Sequence, residues 1–257
     1  MTVAVKTETS RGGAWLRVIL DAGTGNILTA DIVSRLQAAF ASSFDLPHVR
    51  LISLESAAGD FSFGSSIQEH APEVVARVLP AFHRFLLYLF TLPAPTAAIV
   101  RGRCLGGGFE MALACDLIFA GETASFGLPE IALGVFPPAA AVLLPLRIGA
   151  FRATSAVLTG EPRSARAWAS AGLIELLAPD DQLEQRVTQW FETHLGGKSA
   201  IALQYAAWAA RLVVRDRAER LLAESERLYL DELMRTGDAA EGVAAFLEKR
   251  PPSWRDE

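Results

Sequence analysis

Two glutamates stand beside glycine or proline turns in a strongly apolar part of the chain. Glu110 ends a Gly-Gly-Gly-Phe-Glu run at residues 106–110, and Glu130 ends a Leu-Pro-Glu run at residues 128–130. Asp116 is the only other carboxyl side chain between residues 105 and 120. Carboxylates are rarely buried unless they are paired or used, and burial raises a carboxyl pKa. The two glutamates are therefore predicted to hold and release protons near neutral pH.

The glycine run predicts a ligand site at the start of a short helix. Glycine lets a ligand approach the backbone closely, and the first N–H groups of a helix lack intrahelical partners. The helix dipole also favours negative charge at this end. Glu110 follows Gly107 by three residues, so its side chain can reach the same site. A phosphate cradle is disfavoured, because no Lys-Ser/Thr pair follows and no third glycine completes a dinucleotide fingerprint.

Less specific roles for the acidic residues stay open at this level. Glu110 is also compatible with a buried helix residue paired with Arg101 or Arg103, and Glu130 with an ordinary loop acid. Asp116 is expected to be a structural acid at a turn or strand edge. His83 lies in an apolar helix, where a core histidine with satisfied hydrogen bonds is the expectation.

Strand and helix patterns alternate over the first 180 or so residues. Predicted strands lie at residues 15–20, 49–54, 96–101 and 116–120, and predicted helices at residues 29–40, 73–90 and 107–114. This alternation favours an α/β fold with parallel strand pairing. After residue 179 the chain is rich in Ala, Leu, Arg and Glu, and helices are predicted at residues 182–195, 201–216 and 218–236.

Composition excludes several classes of protein. The chain has 257 residues, is 51% hydrophobic and carries a net charge of −5, which argues against nucleic acid as a general partner. Its two cysteines, Cys104 and Cys115, form no metal-binding motif and suit a reducing compartment such as the cytoplasm. The apolar runs at residues 85–100 and 131–146 are short and contain prolines, so we expect them in the core and not in a membrane.

Four segments in order along the chain resemble the crotonase (enoyl-CoA hydratase/isomerase) superfamily. The glycine-rich signature matches residues 103–116, a second signature matches residues 126–134, an earlier loop matches residues 61–67, and a terminal helix matches residues 241–250. The resemblance implies a crotonase-like (ββα)n spiral core with the active site at residues 1–195. It also implies a helical C-terminal trimerisation region at residues 196–257, in a homotrimer or homohexamer.

The resemblance also implies an acyl-CoA thioester substrate, no metal and no separate cofactor, because CoA enters as part of the substrate. The backbone N–H groups of Ser65 and Gly107 would form the oxyanion hole. Glu110 would mainly activate water, and Glu130 would mainly deliver the proton. The remaining positions implied to bind substrate or CoA are Phe63, Gly64, Ser66, Ile67, Gly106, Pro137, Phe246 and Lys249.

A narrower resemblance concerns the acyl group. Residues 61–70 and 134–145 are similar to the cyclohexa-1,5-diene-1-carbonyl-CoA hydratases of anaerobic benzoyl-CoA breakdown. Ordinary enoyl-CoA hydratases have a glycine-rich segment where residues 137–141 read Pro-Pro-Ala-Ala-Ala, and usually an Asp where Ser66 stands. Both glutamates are present, twenty residues apart as in hydratases. Hydration of the cyclic diene is therefore predicted, with a hydratase of linear 2-enoyl-CoA, an enoyl-CoA isomerase and a non-catalytic acyl-CoA-binding subunit as alternatives.

Overall fold

The computed structural model describes residues 4–57 and 59–257, which form two β-sheets covered by helices. The strands are β1 (Val5–Ser10), β2 (Trp15–Leu20), β3 (Leu51–Ser56), β4 (Thr96–Val100), β5 (Arg103–Leu105), β6 (Leu117–Gly121), β7 (Ser125–Gly127), β8 (Arg163–Ser164) and β9 (Leu176–Ala178). The helices are α1 (Ala30–Ala41), α2 (Pro72–Leu89), α3 (Gly107–Ala114), α4 (Pro138–Ile148), α5 (Ala150–Thr159), α6 (Ala165–Ser170), α7 (Leu183–Phe191), α8 (Ala200–Arg227) and α9 (Gly237–Glu248).

The larger sheet has six strands in the order β1-β2-β3-β4-β6-β9. From β2 to β9 every neighbouring pair is parallel, which confirms the predicted α/β pairing. The first strand is a correction, because the sequence predicted no strand before Trp15, yet β1 pairs antiparallel with β2. The four middle side chains of β1 are exposed, so this edge strand lacks the apolar alternation that marks a half-buried strand.

Successive side chains of a strand point to opposite faces of the sheet. Both faces of the larger sheet are buried by apolar side chains. On one face, Leu16 and Val18 of β2 belong to the main core, together with Phe85 of α2. On the other face, Trp15 of β2 stacks on Phe191 of α7, with ring centroids 5.4 Å apart. Burial on both faces explains why the central strands are apolar along their whole length. These buried strands fix the position of the loops that follow them.

The C-terminal region departs from prediction in one respect. Two helices at residues 201–216 and 218–236 were expected, but α8 is one continuous helix of 28 residues followed by a π-helical turn at Leu228–Glu232. No glycine or proline occurs within Ala200–Arg227, so nothing in the backbone interrupts it. The division of domains at residue 195 stays a prediction.

A buried ion pair fastens α8 to the core. Arg211 is 4% exposed and contacts both carboxylate oxygens of Asp116, at 2.9 and 2.6 Å. It also donates to the backbone carbonyls of Leu92 and Ala94, each at 2.7 Å. The prediction of a structural role for Asp116 is confirmed.

Cys104 and Cys115 are free and buried in the core. The two proline-containing apolar runs supply buried residues such as Phe85, Leu92 and Leu143, as predicted. Within the described ranges, no helix is long and apolar enough to span a bilayer. The cytoplasmic location stays a prediction.

Candidate active site

Parallel pairing of β5 with β7 brings the two signature segments together. Leu105 of β5 pairs with Gly127 of β7, and the Gly106 N–H donates to the Gly127 carbonyl at 2.9 Å. From these adjacent strand ends the chain enters α3 on one side and a 3₁₀ turn (Pro129–Leu133) on the other. Glu110 is the fourth residue of α3, and Glu130 is the second residue of the 3₁₀ turn. The two acids, which are twenty residues apart in the sequence, therefore line one cavity.

The Glu110 side chain is buried and bound to a helix N-terminus. It is 3% exposed, and its Oε1 accepts a hydrogen bond from the Ala140 N–H at 2.8 Å. Ala140 lies in the first turn of α4, where the N–H groups have no intrahelical acceptor. Burial raises the pKa of Glu110, while the Ala140 N–H and the nearby His83 act in the opposite direction.

The alternative role for Glu110, as an ion-pair partner of a nearby arginine, is wrong. Arg103 pairs with Asp60 at 3.1 Å, and Arg101 lies 4.0 Å from Glu184. Both cations are thus engaged elsewhere, and Glu110 receives its hydrogen bond from backbone.

Burial of the Glu130 carboxyl is less compensated by hydrogen bonds than burial of the Glu110 carboxyl. Its Oε2 is buried and has no hydrogen-bond partner among the described residues. Burial, followed by the negative charge of Glu110, raises the pKa of Glu130 from 4.5 to about 8. An ordinary loop acid is exposed to solvent, so this alternative does not describe Glu130. The pair therefore holds one carboxyl whose charged form has a backbone hydrogen-bond donor, and one that favours its proton at neutral pH.

Two backbone donors lie side by side in the same cavity. The Ser65 nitrogen is 3.4 Å from the position that a Cβ would take on Gly107, so the loop before Ile67 closely approaches the start of α3. Across the part of the chain that the structure describes, neither the Ser65 N–H nor the Gly107 N–H donates a hydrogen bond. Gly64, with φ of +96°, allows the turn that brings the two segments together.

The cavity that contains both glutamates has a volume of about 70 Å³. Most predicted site residues line it: Phe63, Gly64, Ser65, Ile67, Gly106, Gly107, Glu110 and Glu130. Its other walls come mainly from apolar side chains of α2, of the segment before α4 and of the first residue of α4: Val75, Leu79, Phe82, Leu133, Phe136 and Pro138. His70, Pro129 and Tyr229 complete the lining.

A second cavity of about 670 Å³ shares five lining residues with the first: Phe63, Ser65, Ile67, Pro129 and Leu133. Ser66 and Phe246, both predicted to bind substrate or CoA, line this larger cavity. Pro137 and Lys249 line neither cavity; their chain neighbours Pro138 and Arg250 do so instead. Pro137 precedes α4, and Lys249 caps α9 with a left-handed backbone.

The sequence did not indicate that three polar residues would lie near the site. The sequence places Arg250 at the end of a terminal helix and Tyr229 within a predicted helix, and it indicates no further role for either residue. His83 was expected to have satisfied hydrogen bonds, but only its Nδ1 is bound, to Glu226 at 2.9 Å, and its Nε2 is buried without a partner among the described residues. Each contact depends on packing between elements far apart in sequence, which no local pattern reports.

Known proteins share sequence similarity with this chain over most of its length. The model of the enoyl-CoA hydratase/isomerase family matches residues 17–257. The cyclohexa-1,5-dienecarbonyl-CoA hydratase of Thauera aromatica is 38% identical over 252 residues, covering 98% of this chain and 97% of the relative. The 2,3-dehydroadipyl-CoA hydratase of Escherichia coli K12 is 33% identical, covering 90% and 89%.

Solved structures share the whole fold. The crystal structure of an enoyl-CoA hydratase from Mycobacterium avium superposes with a TM-score of 0.85 at 30% identity, covering 99% of this chain and 100% of that one. The expected crotonase fold and the recognition of the superfamily are thereby confirmed. This chain belongs to the enoyl-CoA hydratase/isomerase (crotonase) family.

Proposed function

We propose that this protein adds water to cyclohexa-1,5-diene-1-carbonyl-CoA to give 6-hydroxycyclohex-1-ene-1-carbonyl-CoA. The observation that carries the proposal is the pairing of Glu110 and Glu130, in unlike environments, within one cavity that also has two free N–H groups. The likeness to the Thauera aromatica hydratase supports the cyclic acyl group. A role in anaerobic breakdown of aromatic compounds follows as part of the same proposal.

The N–H groups of Ser65 and Gly107 would bind the thioester oxygen as an oxyanion hole. Addition of a nucleophile to a conjugated thioester moves negative charge onto this oxygen, and preorganised donors stabilise that charge. Losing one such donor costs roughly 3–4 kcal/mol in comparable sites. The Gly107 N–H begins α3, so the helix dipole adds to the stabilisation.

Glu110 would take a proton from water, and Glu130 would give a proton to carbon. The Ala140 N–H favours the charged form of Glu110, as a base requires. Burial and the charge of Glu110 favour the neutral form of Glu130, as an acid requires. This division of roles follows from environment, since the two side chains have the same chemistry.

The reaction balances as a 1,4-addition across the ring. The water oxygen bonds to ring carbon C2, the C1=C2 electrons delocalise onto the thioester oxygen, and Glu110 receives the water proton. As the thioester carbonyl re-forms, the new double bond lies between C1 and C6, and C5 takes the proton of Glu130. Transfer of one proton from Glu110 to Glu130 through water restores the starting state.

The walls of the small cavity support an uncharged hydrocarbon acyl group. Phe82, Phe136 and Leu79 are apolar, and no Lys or Arg lines this cavity within the described residues. A carboxylate-bearing acyl chain would be left there without a cation to pair with. A cyclic diene meets no such cost.

The larger cavity would receive the CoA moiety. It adjoins the small cavity through Phe63 and Ser65, and Phe246 and Leu247 of α9 give it an apolar wall. Arg250 adds a guanidinium at its rim that suits a phosphate, although it is already paired with Glu241 and Glu248. We expect Phe246→Ala to raise KM for acyl-CoA more than it changes kcat.

The deciding experiment is a parallel turnover assay on cyclohexa-1,5-diene-1-carbonyl-CoA and crotonyl-CoA, with products identified by mass and retention time. Preference for the cyclic diene supports the proposal, and preference for crotonyl-CoA replaces it with a linear enoyl-CoA hydratase. Incorporation of oxygen-18 from labelled water distinguishes hydration from isomerisation of a double bond.

Variants of the two glutamates test their roles directly. Glu110→Gln and Glu130→Gln should each abolish turnover while acyl-CoA binding persists, with Glu161→Gln, an exposed position, as the matched control. Unchanged turnover in Glu110→Gln or Glu130→Gln would refute the catalytic role of that glutamate. Binding without turnover in the wild-type protein would indicate an acyl-CoA-binding subunit instead.

We also propose assembly as a homotrimer or homohexamer through the C-terminal region. Several large apolar side chains of α8 are more than half exposed in the single chain, which favours burial against another copy. They are Ile201, Tyr205, Leu212 and Val213. Native mass spectrometry of the full chain tests the assembly, and a monomer at micromolar concentration would contradict it.

A further inference from the structure

Tyr229 belongs to the C-terminal region but lines the same small cavity as the two glutamates. It is 2% exposed, and its ring packs edge-on against Phe136 at a centroid distance of 5.5 Å. The residue lies in the π-helical turn that follows α8, and such turns occur frequently at functional sites. The fold therefore delivers a phenol to the reacting cavity from a segment outside both signature motifs.

Among the described residues, the Tyr229 hydroxyl has no hydrogen-bond partner. A tyrosine with a buried ring usually places its O–H group against a hydrogen-bond partner. Burial, then the charges of Glu130 and Glu110, raise the pKa of Tyr229, so the phenol stays protonated. A protonated phenol offers a hydrogen-bond donor to whatever oxygen enters this cavity.

The reacting water needs such a donor. Water has two O–H groups and two lone pairs. In the proposed reaction Glu110 accepts one O–H, and one lone pair attacks carbon. A carboxyl oxygen of Glu130 is available for the second O–H, which leaves one lone pair without a donor.

The oxyanion-hole N–H groups and the other side-chain donors that line the cavity are committed or unsuitable. The N–H groups of Ser65 and Gly107 are assigned to the thioester oxygen, and the Ser65 hydroxyl lies beside Gly107 on that side. His70 Nδ1 lies 2.9 Å from the Ser66 carbonyl and therefore carries the proton of the neutral ring. Burial lowers the pKa of His70, so its Nε2 is a lone pair and not a donor.

We propose that the Tyr229 hydroxyl donates a hydrogen bond to the oxygen that is added to, or removed from, the substrate. This inference rests on the proposed hydratase function. The bond fixes one lone pair of water, so that the other is directed at the β-carbon while Glu110 removes a proton. In the reverse reaction the same bond holds the departing hydroxyl.

The test compares Tyr229→Phe with Tyr88→Phe, using whichever acyl-CoA the wild-type enzyme hydrates best. Tyr229→Phe keeps the ring against Phe136 and removes only the hydroxyl. Tyr88 lies on α2, outside both cavities, and is the matched control. Kinetics are measured from pH 6 to pH 9.5, together with the Kd of the unreactive saturated thioester cyclohexanecarbonyl-CoA.

We expect Tyr229→Phe to lower kcat at least fivefold, with the Kd within threefold of wild type and the pH limits of the rate unchanged. Tyr88→Phe should match wild type throughout. A smaller loss of kcat overturns the inference, and so does a Kd weakened more than threefold, which marks a structural role. Loss of the basic limb overturns it as well, because Tyr229 would then be the titrating acid. Failure of the wild-type protein to hydrate any acyl-CoA refutes the proposed function instead.

Discussion

The Oε1 atom of Glu130 lies 2.5 Å from the position that a Cβ would take on Gly106. Gly106 also has φ of +48° and ψ of −126°, a backbone that L-residues with side chains rarely adopt. The first glycine of the Gly-Gly-Gly run is therefore required by an acid twenty-four residues further along the chain, as well as by the turn into α3. The two signature segments depend on each other sterically.

Replacing Gly106 with alanine should inactivate the enzyme through Glu130. The added methyl group would overlap the carboxyl and push it from the small cavity, so the proton donor would lose its position. We expect kcat to fall about 100-fold or more, on the order of 3 kcal/mol in activation free energy. Steady-state kinetics on the preferred acyl-CoA measure this effect.

Gly172→Ala is the matched control for Gly106→Ala. Gly172 has φ of +82°, so alanine brings similar backbone strain, but no described atom beyond its chain neighbours lies within 4 Å of its Cβ position. We expect a lower melting temperature with kcat retained. Equal loss of kcat in both variants would show that strain, and not displacement of Glu130, explains the effect.

The rate of hydration should fall at alkaline pH because Glu130 must carry a proton. Its pKa of about 8 sets the upper limit of the active form, and ionisation of Glu110 sets the lower limit. We expect kcat/KM to decline about tenfold per pH unit well above pH 8. Initial rates between pH 5.5 and pH 9.5 measure the profile.

Enzyme held at each pH and returned to pH 7 before assay controls for irreversible inactivation. A profile that stays flat to pH 9.5 would mean that no proton donor with this pKa takes part. The two limits belong to the pair of carboxyls, since their charges interact.

Much of the site followed from local pattern and family resemblance. The bounds of α3 agree with prediction at both ends, because a glycine run starts the helix and an apolar stretch fills it. Glu110, Glu130, Ser65 and Gly107 all line one cavity, and their roles stay predictions. Short-range turns and strand register suffice to bring these segments together.

What the sequence did not reveal depends on distant packing. The hydrogen bond from Ala140 to Glu110, and the entry of Tyr229 into the cavity, join elements that touch only in the folded chain. The edge strand β1 was missed for the opposite reason, since its exposed polar side chains carry no apolar period. Neither kind of feature has a local signature in residue spacing.

Folding stability should fall as pH rises between 4.5 and 8 because of Glu130. The folded protein keeps this proton up to about pH 8, whereas the unfolded chain releases it near pH 4.5. In that window the folded state binds more protons, so stability decreases by up to about 1.4 kcal/mol per pH unit. Glu130→Gln removes the effect, and its advantage over wild type should grow with pH and level off above pH 8.

Urea unfolding at pH 5.5, 6.5, 7.5 and 8.5, at fixed protein concentration, measures the difference between Glu130→Gln and wild type. Glu161→Gln changes an exposed acid and should parallel wild type. An advantage of Glu130→Gln that is constant with pH would contradict the raised pKa.

Removal of the Arg211 guanidinium should destabilise the fold far more than removal of an exposed cation of α8. Arg211→Ala leaves Asp116 without its cation and frees the carbonyls of Leu92 and Ala94, all at a largely buried site. Breaking such a pair costs about 3–5 kcal/mol. Arg215→Ala, one turn along α8, removes only an exposed pair with Glu219 and should cost less than about 1 kcal/mol. Urea unfolding separates the two, and comparable losses would mean that the Asp116 pair does not fasten α8 to the core.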